Sequence, residues 1–329
     1  MSFPFNAYLL AFLGAFVTVA VGMPFWRAWS IRVGLVDDPG HRKIHHTPIP
    51  LAGGLAVAAG IAAPLLAGAA IIQLNLLDTA IKTPLEYGFG RRVYQLASIG
   101  GGAFGMVALG WFDDKHTLRP GAKFLGQLLI ATLVAASGIR ITLFVDNALF
   151  SYAVTIFWIL TLTNALNFMD NMNGLCAGLG VIASACFAFA AASQGQYLVC
   201  LLALTTCGAL LGFLPSNFPR ASSFLGDSGS HLIGYLLAIL AIMPNFYTAG
   251  AANAWAVLSP LFILAAPLGD LVSVVIIRWR LGKPFYVGDN NHLSHRLVRR
   301  GFTQTTAVLL IWLLAVVVSA AAFFLFGIV

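Results

Sequence analysis

Charge is what this chain has least of. Its 329 residues include 11 acidic and 18 basic side chains, 9% of the total, against 60% hydrophobic residues, and its mean hydropathy is +0.90. A soluble domain carries about a quarter charged residues, so an ordinary soluble fold is excluded. Cysteine is scarce as well. Cys176, Cys186, Cys200 and Cys207 all lie in apolar runs, without metal-site spacing, and read as small core hydrophobes with no disulfide framework. The sequence contains no evident soluble domain, linker, low-complexity segment or internal repeat. The first apolar run lacks a basic leader and a small-residue cleavage site, so a retained span is expected there rather than a removed signal.

What is present is a series of long apolar runs, at 6–26, 51–74, 94–111, 122–138, 151–166, 174–192, 197–214, 228–247, 253–279 and 305–328. A helix needs about 20 apolar residues to cross a bilayer. Backbone polar groups in lipid must be paired within the segment, which makes these runs helices. The expected fold is an all-α integral membrane protein. It is a single polytopic domain over 1–329, a bundle of about ten transmembrane helices with catalytic cytoplasmic loops. The 33 glycines suit close helix–helix contact.

The few charges are not scattered. They collect in every second connection, and alternate connections of a multispanning chain face one compartment. Of the 18 Lys and Arg, all but Lys82, Arg91, Arg92 and Arg140 fall in the odd-numbered connections, which the positive-inside bias assigns to the cytoplasm. That bias accounts for the net charge of +7. No segment resembles a nucleic-acid module, and no nucleic-acid partner is expected.

Five polar segments share that face. Asp113-Asp114 ends the third span. Two neighbouring carboxylates repel and must be desolvated, which suggests a bound cation; a solvated cap is the plain alternative. Helix neighbours point about 100° apart, so the two acids should differ in role. Asn164, Asn167, Asp170 and Asn173 recur every three residues, which on a helix gives one drifting face. Such a face suits a nucleobase or sugar, a metal shell, or hydrogen bonds between helices. Asp227 opens the eighth span in Gly226-Asp227-Ser228-Gly229, where the helix dipole favours an anion and free N–H groups can take phosphate oxygens.

In the last cytoplasmic loop His292, His295, Arg296 and Arg299 have i, i+3, i+4, i+7 spacing. If helical, they form a patch for phosphate or for anionic headgroups. The first loop, with Lys43 and His45 among prolines and glycines, suits a diphosphate clamp. Asp270 lies inside the ninth span, where an acid is a functional candidate or is paired with a basic neighbour. Two strings mislead. Gly226-Asp227-Ser228-Gly229 looks like the surroundings of a serine-protease nucleophile, but triads are recognised by geometry. Gly100, Gly102 and Gly105 match a dinucleotide fingerprint, yet sit within an apolar span and fit helix packing better.

In order and placement, the five segments resemble the polyprenyl-phosphate N-acetylhexosamine-1-phosphate transferases of glycosyltransferase family 4. The resemblance covers essentially the whole chain. It implies attack by a polyprenyl phosphate on the β-phosphorus of a UDP-sugar, with release of UMP and a requirement for Mg²⁺, or else Mn²⁺. By position it implies Asp227 as the main metal ligand with Asp113 assisting, and Asp113, Asp114 and His292 as catalytic. Lys43, His45, Lys123, Asn167, Asp170, Asn173, His295 and Arg296 are implied as substrate-binding. The first-loop pattern looks like the branch that transfers GlcNAc-1-phosphate. Two departures stand out: Asn173 occupies the place of a second acid, and Ser294 the place of a middle histidine.

The expected function is transfer of a HexNAc-1-phosphate, most simply GlcNAc-1-phosphate, to undecaprenyl phosphate. This is the first membrane step of a cell-surface polysaccharide, on the cytoplasmic face of a bacterial inner membrane. Expected partners are the UDP-sugar, the polyprenyl phosphate and the bilayer, with a homodimer allowed for. A lipid monoester is largely dianionic near neutral pH, so direct attack is favoured over an aspartyl-phosphate intermediate. The alternatives are a UDP-MurNAc-pentapeptide transferase, or a transporter. A transporter would carry its polar groups near the midplane rather than at one face.

Overall fold

The computed structural model describes residues 3–38, 47–74, 79–244, 254–284 and 288–326. Helices α1 (Phe5–Arg32), α2 (Gly53–Gln73), α3 (Thr79–His116), α4 (Pro120–Ala136), α5 (Ala148–Met169), α6 (Leu175–Ser193) and α7 (Tyr197–Asn217) follow one another. Then come α8 (Gly226–Ile242), a 3-10 turn (Ala254–Leu258), α9 (Ser259–Ile263), α10 (Ala265–Arg280), α11 (Leu293–Arg299) and α12 (Gln304–Phe326). The described β-structure is an antiparallel pair, β1 (Val36–Asp37) with β2 (Ile49–Pro50), in which Val36 faces Pro50.

This is the expected all-helical membrane fold. Among the described residues, seven helical stretches are long and apolar enough to cross a bilayer, or eight if the bent pair formed by the 3-10 turn, α9 and α10 is one span. The ten runs read from sequence also include α4 and α8, which have only 17 residues each. That length rises about 26 Å, just short of a hydrocarbon core of about 30 Å. Phe104, Phe157 and Phe324 are among many large apolar side chains turned outward. On a soluble protein this would be a liability, but in a bilayer it is the lipid-facing surface.

The ninth run is not a straight span. Its two arms are bent by 74°. Pro267 has no N–H to donate to the carbonyl four residues back, Ile263, so the ladder breaks where α9 ends. At the other margin, α3 begins at Thr79, well before the expected start at 94.

Helix α8 is the axis of the bundle. It packs against α2, α3, α5, α6 and α7, and nearly every one of its residues is buried. Such close packing needs small residues. A Cβ on Gly110 of α3 would run into the Asp227–Ser228 backbone, and one on Gly234 would meet the backbone of α5 at Leu162 and Thr163. Of the misleading glycines, Gly102 packs against the Tyr235 ring and Gly105 against Ile130, so this stretch is a helix contact. The first loop is tied to the same end of α8. The Pro50 carbonyl accepts from Phe224 N and Ser223 Oγ, both at 3.0 Å. Gly53 N and Gly54 N donate to the carbonyls of Phe224 and Leu225.

Overpacking a site of this kind destabilises a fold by about 1–3 kcal/mol. Gly110→Val is therefore expected to lower the thermal midpoint in detergent by several degrees. Gly121→Val, on a face with open space, should not; equal behaviour of the two variants would contradict this packing.

Candidate active site

Four helix ends meet at one face of the bundle. The C-terminal end of α3 brings Asp113 and Asp114, and the N-terminal turn of α4 brings Lys123. The C-terminal end of α5 brings Asn167, and the N-terminus of α8 brings Asp227 and Ser230. Lys123 is the centre of the group. Its Nζ lies 2.7 Å from Asp113 Oδ2 and 2.8 Å from Asp227 Oδ2, and it donates to Asn167 Oδ1 at 3.5 Å. The Asn167 amide nitrogen donates to Asp227 Oδ1 and, at 2.9 Å, to Ser230 Oγ. Lys123 and Asp113 are mostly buried and Asp227 is the more open of the three. In such surroundings charge-assisted bonds are short and strong.

The two adjacent acids do different work, as their angular separation requires. Asp113 Oδ1 accepts from Leu118 N at 2.7 Å, closing the turn into α4, while its Oδ2 meets Lys123. Asp114 turns the other way. Its two oxygens accept from the first N–H groups of α8, Asp227 N at 2.7 Å and Ser228 N at 3.1 Å. A helix start leaves such donors without partners, and a carboxylate there also complements the dipole. Gly226 has φ +74°, and a Cβ on it would strike the Asp114 carboxylate. Asp114 is thus the cap that aims Asp227. Ser228 is fully buried, and the ring of His231 is directed to Gln127 instead, so no serine nucleophile is presented.

The run of amides does not form one face. Helix α5 stops at Met169, so only Asn164 and Asn167 share its surface. Asp170 caps the helix end and is half-buried. Asn173 lies beyond the helix and donates to the Pro219 carbonyl at 3.2 Å, away from Lys123. The three-residue period was real, but the backbone leaves the helix halfway through it. Burial, and then the charges of Asp227 and Asp114, push the Asp170 carboxyl up to about 8.

A second polar group flanks the same end of α5. His292 Nδ1 lies 2.7 Å from Asp270 Oδ2, and Leu293 N donates to the other Asp270 oxygen. Asp270 therefore has the basic partner its position allowed for. Arg278, fully buried, donates to Asp289 Oδ2 at 3.0 Å and stacks over Phe168 at 5.1 Å; the edge of that ring contact is met by His292 at 5.5 Å. Burial pushes the Asp289 carboxyl up, but Arg278 and Asn291 N outweigh it and hold it at about 2. Ser294 Oγ donates to Asn171 Oδ1 at 2.7 Å. Arg296 reaches Ser273 at 3.0 Å, and His295 lies 6.3 Å from His292, ring to ring. Burial, then the neighbouring charges of His292 and Arg299, lower the His295 pKa. The histidine segment is only partly the continuous helical face anticipated. Helix α11 starts at Leu293, after His292, and Arg299 folds back to the Asn290 carbonyl.

Lys43 and His45 lie outside the described residues. Sequence reasoning missed Ser230, Phe168, Asn171, Gln127 and His231, and it counted Arg278 only as positive-inside charge. The signals available for them were spacing ones: Gln127 is one turn from Lys123, and His231 one turn from Asp227.

Chemically, the site offers carboxylate oxygens, one ammonium shared between two of them, and a histidine–arginine flank. Among the described residues no three His, Cys, Asp or Glu side chains converge to enclose an ion unaided. Acids nonetheless exceed cations in the cluster, and all the donors are hard oxygens. That donor set fits Mg²⁺, which usually takes one or two carboxylates and completes its shell with phosphate and water.

The profile of a family described as Glycosyl transferase family 4 matches residues 96–245, the stretch that holds α4 to α8, the Asp113-Asp114 pair and Asp227. A Bacillus subtilis protein described as a probable undecaprenyl-phosphate N-acetylglucosaminyl 1-phosphate transferase is 31% identical over 322 residues, covering 95% of this chain and 84% of its own. A decaprenyl-phosphate N-acetylglucosaminephosphotransferase of Mycobacterium tuberculosis is 33% identical, covering 90% and 77%. The undecaprenyl-phosphate alpha-N-acetylglucosaminyl 1-phosphate transferase of Escherichia coli K12 is 27% identical, covering 94% and 81%.

An acid whose pKa is raised by the fold loses stability as pH climbs from its unfolded value toward its folded one. For Asp170 that window runs from about 4 to about 8. Asp170→Asn removes the titration with little change of shape. Its melting point is expected to match the wild type at pH 4 and to exceed it increasingly up to pH 8, read by thermal unfolding without ligands. A constant difference across that range would contradict the assignment.

Proposed function

This chain belongs to glycosyl transferase family 4, and from that premise we propose that it transfers GlcNAc-1-phosphate from a UDP-sugar to a polyprenyl phosphate. The products are polyprenyl-diphospho-GlcNAc, which stays in the membrane, and UMP. The observation that carries the reading is Lys123 Nζ bridging Asp113 and Asp227 where four helix ends meet. The names of the three relatives favour GlcNAc over MurNAc-pentapeptide as the transferred group. Their coverage of nearly the whole chain favours an enzyme over a transporter.

Phosphoryl transfer asks a protein mainly for positioning and charge neutralisation. In this reading an oxygen of the lipid phosphate attacks the β-phosphorus of the donor. The bond to the bridging oxygen breaks, and UMP leaves with the electron pair. The acceptor is largely dianionic near neutral pH, so no strong base is needed. Asp113, facing Lys123, orients the acceptor and takes any residual proton on its oxygens. Asp114, with both oxygens engaged by backbone N–H groups, supports α8 instead. Mg²⁺ (or Mn²⁺) bound by Asp227, with Asp113 beside it, would offset diphosphate charge. Asn167 steers Asp227. Asp270 holds the proton on His292 Nδ1, which leaves Nε2 as the ring atom available to a ligand. His295 and Arg296 are assigned to the nucleotide diphosphate, with Lys43 and His45 of the first loop. We assign the site to the cytoplasmic face of a bacterial inner membrane on the distribution of Lys and Arg.

The test is radiolabelled UDP-GlcNAc with undecaprenyl phosphate in detergent. Lipid-linked label and UMP are expected, abolished by EDTA and restored by Mg²⁺. Asp227→Asn and Lys123→Met should lower turnover by about a hundredfold or more, the scale of losing a preorganised charged group, while the protein stays folded. Full turnover in either variant, or after exhaustive chelation, would overturn the assignment.

A further inference from the structure

One helical turn deeper than the charged cluster, three of its four helices, α4, α5 and α8, meet in a second polar layer. On α4, Gln127 follows Lys123 by four residues; on α8, His231 follows Asp227 by four; on α5, Asn164 precedes Asn167 by three. Those spacings put each lower residue on the helix face of its upper partner. Gln127 and His231 are fully buried. The layer is one chain of hydrogen bonds. Asn164 Nδ2 donates to the Leu160 carbonyl at 2.8 Å and to Gln127 Oε1 at 2.7 Å. Gln127 Nε2 then faces His231 Nε2 at 3.3 Å.

The Leu160 carbonyl can only accept, and this sets the polarity of the whole chain. It orients the Asn164 amide, which orients the Gln127 amide, which makes His231 Nε2 an acceptor. The ring is therefore neutral, with its proton on Nδ1. That atom has no hydrogen-bond partner among the described residues. A buried donor without an acceptor destabilises a fold, so packing alone does not account for histidine at this position, where a leucine would carry no such penalty. A charged ring would fit worse still. It would forfeit the Gln127 bond and place a charge at a fully buried position.

We propose that His231, acting through Gln127, is a positioning residue. It sets the rotation of α4 against α8 and so holds Lys123 Nζ between Asp113 and Asp227. The proposal rests on the reading of that cluster as the reaction centre. What position 231 must supply is a neutral acceptor at the place of Nε2.

Two measurements test it. In protein labelled with ¹⁵N-histidine, one of the seven histidines should show the neutral Nδ1–H tautomer at neutral pH. That signal should vanish in His231→Gln and shift in Gln127→Leu. A Nε2–H tautomer or an imidazolium at His231 would overturn the proposal, and this readout stands even if the protein transfers a different group. In the transfer assay, kcat per folded molecule of His231→Leu and of Gln127→Leu should fall about tenfold to a hundredfold, as for a misplaced catalytic group. KM for both substrates should stay within about threefold, the pattern of an interaction felt in the transition state. The double variant should be no slower than the worse single one. His231→Gln, whose Oε1 stands near the Nε2 position, should recover most of the rate, whereas His231→Asn, which mimics only the Nδ1 side, should not. Equal rates for Gln and Asn, or loss of stability with kcat unchanged, would sink the proposal. The Gln–Asn contrast still decides it if the leucine variant does not fold.

Discussion

An ammonium shared by two carboxylates, at the mouth of an apolar bundle, is the interaction on which the rest of this molecule turns. Each of the three charges alone would be costly to withdraw from water, and the attraction compensates only when the geometry is good and the remaining lone pairs are satisfied. That condition is met from several directions at once. Leu118 N, Asn167 and Ser230 take up what Lys123 leaves unpaired on Asp113 and around Asp227. Since the participants come from four different helices, the pairing also records how those helices are rotated. A small slip of any one would separate the charges.

The burial of α8 follows from the same demand. A helix that must bring its N-terminus among acids and a lysine cannot have that end in lipid. It is surrounded by other helices, and the lipid-facing work falls to its neighbours. Being enclosed, α8 needs only 17 residues, and its first N–H groups can be satisfied by protein. Asp114 supplies that satisfaction. With Asp114 engaged by the helix start, Asp227 is left facing Lys123, while Gly110 and Gly226 keep the space between α3 and α8 narrow enough for the bond to form.

The polar residues thus fall into layers rather than into a single patch. The Lys123 cluster lies at the helix ends, the buried amide–imidazole chain one turn down, and the group of His292, Asp270, Arg278 and Asp289 to the side, beside Phe168. Neighbouring residues on α5 serve different groups: Asn164 the buried chain, Asn167 the cluster, Phe168 the flank. Motif reading identified Asp113, Asp114, Lys123, Asn167 and Asp227 because polar side chains at the ends of apolar runs are conspicuous. It overextended the amide period to Asp170 and Asn173, since spacing does not reveal where a helix ends. It passed over Arg278 because, in a membrane protein, a basic residue at the end of a span already has an adequate explanation in topology.

Composition alone determined that this chain is a helical membrane protein, because desolvation allows no other arrangement of so few charges in so much apolar sequence. What the sequence did not hold was the direction of each side chain. Asp113 and Asp114 are adjacent in the chain and differ by a rotation of about 100°. Nothing local says which one meets the lysine and which one caps a neighbouring helix, or that a histidine four residues beyond an acid must be neutral. Only the packing of α3, α4, α5 and α8 decides that, since helix rotation is set by contacts between elements distant in sequence.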